Sequence, residues 1–128
     1  MAISELRKND MMAHLLDSLE AGKDIGHYGR LVFTMVARHF LSDNELVKLL
    51  TKDKSVDEAA ARTLVAQVQS RDYNPPKRQK ILEFLEQQKF PICPDAENPD
   101  ACNVYQDLQF PEAVYAKINE YYQQKAGV

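Results

Sequence analysis

The sequence predicts an all-α fold, a compact bundle of about five or six helices with a long proline- and cysteine-containing loop before the last one. Three observations carry this expectation. Apolar residues recur at spacings of three and four along successive segments, serine-led capping boxes stand in front of two of those segments, and no stretch shows the alternation of a half-buried strand. A chain of 128 residues can close one hydrophobic core, so residues 1–128 are expected to form a single helical domain.

The elements follow in order. Ser4 can cap a first helix reaching about Glu20, with Leu6, Met11 or Met12, Leu15, Leu16 and Leu19 on its apolar side, and Ala21-Gly22-Lys23 ends it because glycine tolerates a left-handed backbone. A second helix from Asp24 or Ile25 to Phe40 or Leu41 carries Leu31, Val32, Met35, Val36 and Phe40 in a broad stripe, which marks it as the core helix. Ser42-Asp43-Asn44-Glu45 and Ser55-Val56-Asp57-Glu58 both have capping-box spacing. The first opens a short helix with Leu46, Val47, Leu49 and Leu50; the second opens one through about Gln69, with Ala60, Leu64, Val65 and Val68 as its buried side. After the break at residues 70–76, Pro75 or Pro76 can occupy the first turn of a helix lined by Ile81, Leu82, Phe84 and Leu85. Residues 91–103 read as an irregular loop, 104–108 as one short turn, and Pro111 as the start of a last helix with Val114, Tyr115, Ile118, Tyr121 and Tyr122.

Composition excludes several functions. The longest apolar stretch, Leu31 to Ala37, is flanked by Arg30 and Arg38, far short of the about 20 residues a membrane span needs. The first ten residues lack the hydrophobic segment of a signal peptide, so a cytoplasmic location is expected. Four glycines, at 22, 26, 29 and 127, leave no glycine-rich phosphate loop, and no metalloprotease, kinase or hydrolase-elbow motif is present. The chain therefore reads as noncatalytic and free of cofactors. Cys93 and Cys102 cannot complete a four-ligand metal site; they remain open as a redox pair, as two of several metal ligands, or as ordinary thiols.

A formal charge of −3 gives no global attraction to nucleic acid, so a polyanion site has to be local. His27-Tyr28-Gly29-Arg30 stands at the start of the core helix, where unpaired backbone N–H groups favour an anion and an imidazole and a guanidinium share one face. Arg30 can equally pair with Asp24 or with an acidic group on another helix. A second cluster combines Tyr73 with Lys77 and Arg78, which can join base stacking to phosphate neutralisation or form a solvated face with Glu83 and Glu86.

These two clusters, in this order, resemble the C-terminal domain of the archaeal and eukaryotic DNA primase large subunit, an all-helical domain held around an iron–sulfur cluster. The resemblance runs from Met11 to about Lys117 and is carried by MMAHLLDSLEAGKDIGHYGRLVF, LSDNELVKLL, RDYNPP and PICP. It implies recognition of single-stranded nucleic-acid ends or nucleotide triphosphates through His27, Tyr28, Arg30, Tyr73, Lys77 and Arg78, in support of a primase or other nucleic-acid complex. Of the four family cysteines only Cys93 and Cys102 have counterparts; Met11 and Met12 stand near the first position, and Lys77 and Arg78 near the second. The resemblance thus implies a degenerate, metal-free form. The competing class is a protein-interaction or assembly factor, because residues 91–128 hold six acidic against two basic side chains and offer Tyr115, Tyr121 and Tyr122 as rigid anchors for a protein partner, expected to be basic.

Overall fold

Asn9 divides the expected first helix in two. Its side-chain oxygen accepts the Met12 amide at 3.1 Å and its side-chain nitrogen donates to Asp107 at 3.0 Å. Capping requires extended backbone, here φ −100° and ψ 129°, so helical dihedrals cannot run through this residue. Helix α1 accordingly spans Ala2–Leu6, with Ser4 inside it rather than capping it, and α2 spans Asp10–Glu20. The end of α2 follows the expectation: Gly22 takes φ 74°, and the Gly22 and Lys23 amides turn back onto the carbonyls of Leu19 and Ser18.

The computed structural model describes residues 2–76, 78–85, 90–94 and 102–117, with Ala2, Arg78, Phe84 and Leu85 in backbone only. Among the described residues there is no strand. The helical segments among the described residues number eight rather than about five or six: after α1 and α2 come α3 (Gly26–Ala37), α4 (Asp43–Leu50), α5 (Glu58–Arg71), α6 (Arg78–Leu85), α7 (Val104–Asp107) and α8 (112–117). The Asn9 break supplies one extra helix. The turn at 104–107, closed by the Leu108 amide on the Val104 carbonyl, supplies the other. Residues 95–101 of the expected loop, and the continuation of the last helix through Ile118, Tyr121 and Tyr122, lie outside the described residues.

Capping explains two further boundaries. Ser42 and Glu45 form the expected box, with bonds of 3.3 and 3.1 Å. Ser55 does not cap the next helix; Asp57 does, accepting the Ala60 amide at 2.8 Å. The later start places Ala61, Leu64, Val65 and Val68 on the buried side of α5 and leaves Ala60 exposed. Helix α3 ends at Ala37, after which His39 and Phe40 bond three residues back in tighter turns.

Helix α3 packs against α2, α4 and α5, as its broad apolar stripe demands. Val32, Phe33, Val36 and Ala37 are buried in one apolar cluster reaching from Leu6 to Val114. Met11 and Met12 are both fully buried. Cys93 and Cys102 are buried in the same cluster and form no disulfide. The described start of the loop is pinned by His14, which stacks on Phe90 and makes a 2.8 Å hydrogen bond with the Pro91 carbonyl oxygen. No described helix is long and apolar enough to cross a membrane.

Because Asn9 both caps α2 and ties it to Asp107, Asn9→Ala is expected to lower stability by about 2 kcal/mol in urea unfolding. A variant within about 0.5 kcal/mol of the parent would show that another interaction sets the break.

Candidate functional site

The start of α3 is filled by the protein's own carboxylates. Asp24 accepts the Gly26 amide at 2.8 Å and the Arg30 guanidinium at 3.0 Å. Asp53, fully buried, accepts the Ile25 amide at 3.2 Å and Arg30 at 2.9 Å. Ser55 adds a third oxygen 3.3 Å from the same guanidinium nitrogen. Burial alone would raise the Asp53 carboxyl above the ordinary value, but bonds from the Ser55 hydroxyl and amide, from Arg30 and from Ile25 outweigh it and hold the group below. Arg30 is only 15% exposed and its charge is spent inside the fold. Of its neighbours, His27 is exposed, while Tyr28 is half-buried, its hydroxyl pushed up by burial and by the Glu83 carboxylate.

The opposite end of α3 holds a second arginine–carboxylate clamp. Arg38 donates to Asp72 at 2.7 Å and to the Tyr73 carbonyl at 3.0 Å. Lys117 of α8 grips the other Asp72 oxygen at 3.0 Å and also reaches the Asp72 carbonyl. Both cations hold the Asp72 carboxyl below its usual range. Asp72 ends α5 with φ 50°, the left-handed region, which turns the chain sharply toward Tyr73. Tyr73 is 38% exposed, and the Arg71 guanidinium donates to its hydroxyl at 3.3 Å. Two residues on, the Pro75 carbonyl accepts the Tyr105 hydroxyl.

The segment joined to this loop is aromatic. Phe110 is the hub, with ring centroids 5.7 Å from His39, 5.6 Å from Phe40, 5.4 Å from Tyr105 and 6.5 Å from Tyr115. The Tyr115 hydroxyl accepts the Phe110 amide at 3.0 Å, which fixes the turn into α8. Burial, then the neighbouring Tyr115, pushes the Tyr105 hydroxyl up to about 12. His39 moves the other way: burial and the adjacent Arg38 lower it, against the pull of Asp72.

Arg30 and Arg38 are eight residues apart, about 12 Å along the helix axis. Helix α3 therefore holds the His27–Arg30 cluster at one end and the Tyr73 loop at the other. What the fold does bring together is the Tyr73 loop and Tyr105, Phe110 and Tyr115, two sets that the sequence shows only as separate clusters. Lys77, Tyr121 and Tyr122 lie outside the described residues, as does the Arg78 side chain.

No family model, curated protein or solved structure matches the chain. The primase resemblance thus stands on its short motifs alone. Among the described residues, no group of three or more His, Cys, Asp or Glu is placed to hold a metal ion.

Reasoning from sequence missed Asp53, Arg38, Asp72, Phe110 and Lys117. The Asp53-Lys54-Ser55 spacing carried a signal for a local turn, since the Asp53 carboxylate accepts the Ser55 amide at 2.9 Å and its hydroxyl at 2.6 Å. Nothing local announced that Asp72 would meet Lys117, 45 positions away.

Removing Asp53 leaves Arg30 mostly buried with a weaker counter-charge, so Asp53→Ala is expected to cost about 3 kcal/mol in chemical unfolding. The Asp53 contribution is present above its ordinary value of 3.8 and is lost as pH falls below that through the lower folded value. His39 acts in a different window. Its folded value lies below 6.5, so its neutral form favours the fold above 6.5 and stability declines as pH drops below it. The decline between neutral and mildly acidic pH is expected to flatten in His39→Gln; an unchanged slope would show that His39 does not set it.

Proposed function

We propose that the protein is a noncatalytic protein-interaction module that docks a partner on the surface formed by the 72–76 loop and residues 105–117. The observation that carries this is an exposed tyrosine, Tyr73, on a loop that is bonded through the Pro75 carbonyl to Tyr105, which packs with the half-buried Tyr115 around a buried Phe110. Tyrosines supply large rigid contact area at low entropic cost, with a polar tip for a directed hydrogen bond. Arg71 adds a cation at the rim, bonded to Tyr73 itself. The clamps on Asp72 and the Tyr105 bond to Pro75 hold the loop in place before a partner arrives, which reduces the ordering cost of docking.

Recognition of nucleic-acid ends is the second reading, favoured by the exposed His27 at the start of α3 and by Tyr73 as a stacking platform. It requires a phosphate to compete with Asp24 and Asp53 for Arg30. Protein docking needs no such displacement and is preferred for that reason.

The test compares affinity capture by the parent with capture by Tyr73→Ala combined with Tyr115→Ala, and by Ala66→Ser on the exposed side of α5 as control. Recovery of a stoichiometric partner is expected to fall about tenfold or more in the double variant and to persist in the control. Equal recovery by all three baits, together with salt-sensitive binding that prefers 5′-triphosphorylated over 5′-hydroxyl oligonucleotides, would replace docking with the nucleic-acid reading.

A further inference from the structure

The histidine just past the end of α3 is enclosed by the aromatic hub. His39 Nε2 is buried and has no hydrogen-bond partner among the described residues. Its ring meets that of Phe110 at 5.7 Å and an interplanar angle of 82°, while its amide bonds back to the Val36 carbonyl.

What lies over this ring is a short strap. Residues 109–117 run from the extended Leu108 through Phe110 into α8. The near end is fixed, because Asp107 is tied to Asn9 and Tyr105 to the Pro75 carbonyl. Beyond it, the strap is anchored by two buried side chains, Phe110 and Val114, and by the exposed Lys117–Asp72 pair. A surface ion pair adds little to such an attachment. A pocket of about 90 Å³ between His39, Pro111 and Val114 leaves the strap incompletely packed on the exit of α3. Segments with few buried anchors open at lower free energy than the helical core.

We propose that His39 is a pH-sensitive latch: its neutral ring lets Phe110 and α8 close over the exit of α3, and its protonated ring releases them.

The charged and titratable groups gathered there come from each packed element: Arg38 from α3, Asp72 from the end of α5, Lys117 and Tyr115 from α8, and Tyr105 from α7. Arg38 and Lys117 already share the one carboxylate, so an imidazolium adds a third positive charge around it. Closed, the charged Nε2–H would have neither water nor an acceptor, and that deficit is larger for a charged group than for a neutral one. A cation is attracted to the Phe110 ring, but the ring replaces neither the lost hydration nor the missing acceptor. Lifting Phe110 admits water and removes the conflict. Burial, and then Arg38, lower the proton affinity of the closed ring against the pull of Asp72. Closure is therefore fully favoured above the ordinary value of 6.5 and loses ground as pH falls below it toward the lower closed value. Across that window Asp72, held low by both cations, stays ionised, Arg38 keeps its proton, and so does Tyr105, at about 12.

Release carries Tyr115 away from Tyr105. That this ends partner docking rests on the function proposed above; the release itself does not.

Hydrogen exchange of the full chain tests the latch, read amide by amide by nuclear magnetic resonance at about pH 7.5 and about pH 5.5 and corrected for intrinsic rates. Protection of residues 110–117 is expected to fall several-fold at the lower pH, while the buried turns of α2, α4 and α5 keep theirs. The His39 ring is expected to titrate below 6.5. In His39→Phe, which keeps a ring against Phe110 and has no proton to gain, protection of the strap is expected to be equal at both pH values. His39→Gln gives the same readout should the larger ring overpack the site. Unchanged protection in the parent, a loss spread evenly over all helices, a ring titrating at or above 6.5, or a local loss that persists in both variants overturns the latch. Partner capture is expected to weaken with the strap in the parent and to hold in His39→Phe. A strap that opens while capture stays constant with pH would instead overturn the docking surface and leave the latch standing.

Discussion

The architecture depends on how one apolar helix manages an arginine at each end. Helix α3 buries Val32, Phe33, Val36 and Ala37, yet Arg30 lies in its second turn and Arg38 at its exit. Neither guanidinium can give up its proton, so each must find a carboxylate or stay in water. At the entrance, Asp53 is drawn fully out of solvent, and with it the loop between α4 and α5 is fixed against α3. At the exit, Asp72 stays largely in solvent, yet it ties the loop after α5 to Arg38 and recruits Lys117 from α8. Packing supplies the bulk of the stabilisation, and these pairs determine where loops far apart in the chain are stitched to it.

Much of the helical order was legible because it is written in local chemistry. The Ser42–Glu45 box and the glycine stop after α2 formed as their residues dictate, since each needs only neighbours within a few positions. Local rules also explain the misreadings. Asn9 was hidden inside a stretch of sound helical periodicity, and the reason it caps lies partly in Asp107, 98 positions away. Ser55 and Asp57 are both competent caps; Asp53 claims the serine, and the aspartate takes the helix.

The site was legible as ingredients and not as an arrangement. His27, Arg30 and Tyr73 stood out by residue type, but only the length of α3 separates the first two from the third. The aromatic hub, Phe110, escaped notice because a single phenylalanine before a proline has no pattern; its importance comes from four rings that arrive from three different parts of the chain. Pairing between distant charges is similarly invisible in composition. The sum of −3 conceals a place where two cations, Arg38 and Lys117, share one carboxylate, Asp72.

The left-handed backbone at Asp72 places two demands in conflict at one position. Glycine would adopt φ 50° without strain, relaxing the turn by about 1 kcal/mol, whereas an L-residue with a side chain resists it. Glycine would also leave Arg38 and Lys117 facing each other with nothing between them. Asparagine would suit the backbone and keep hydrogen bonds, yet it would forfeit the negative charge. Aspartate is thus the compromise that tolerates the conformation and still separates two like charges, so improvement of the bend by sequence design would come at the expense of the electrostatics that surround it.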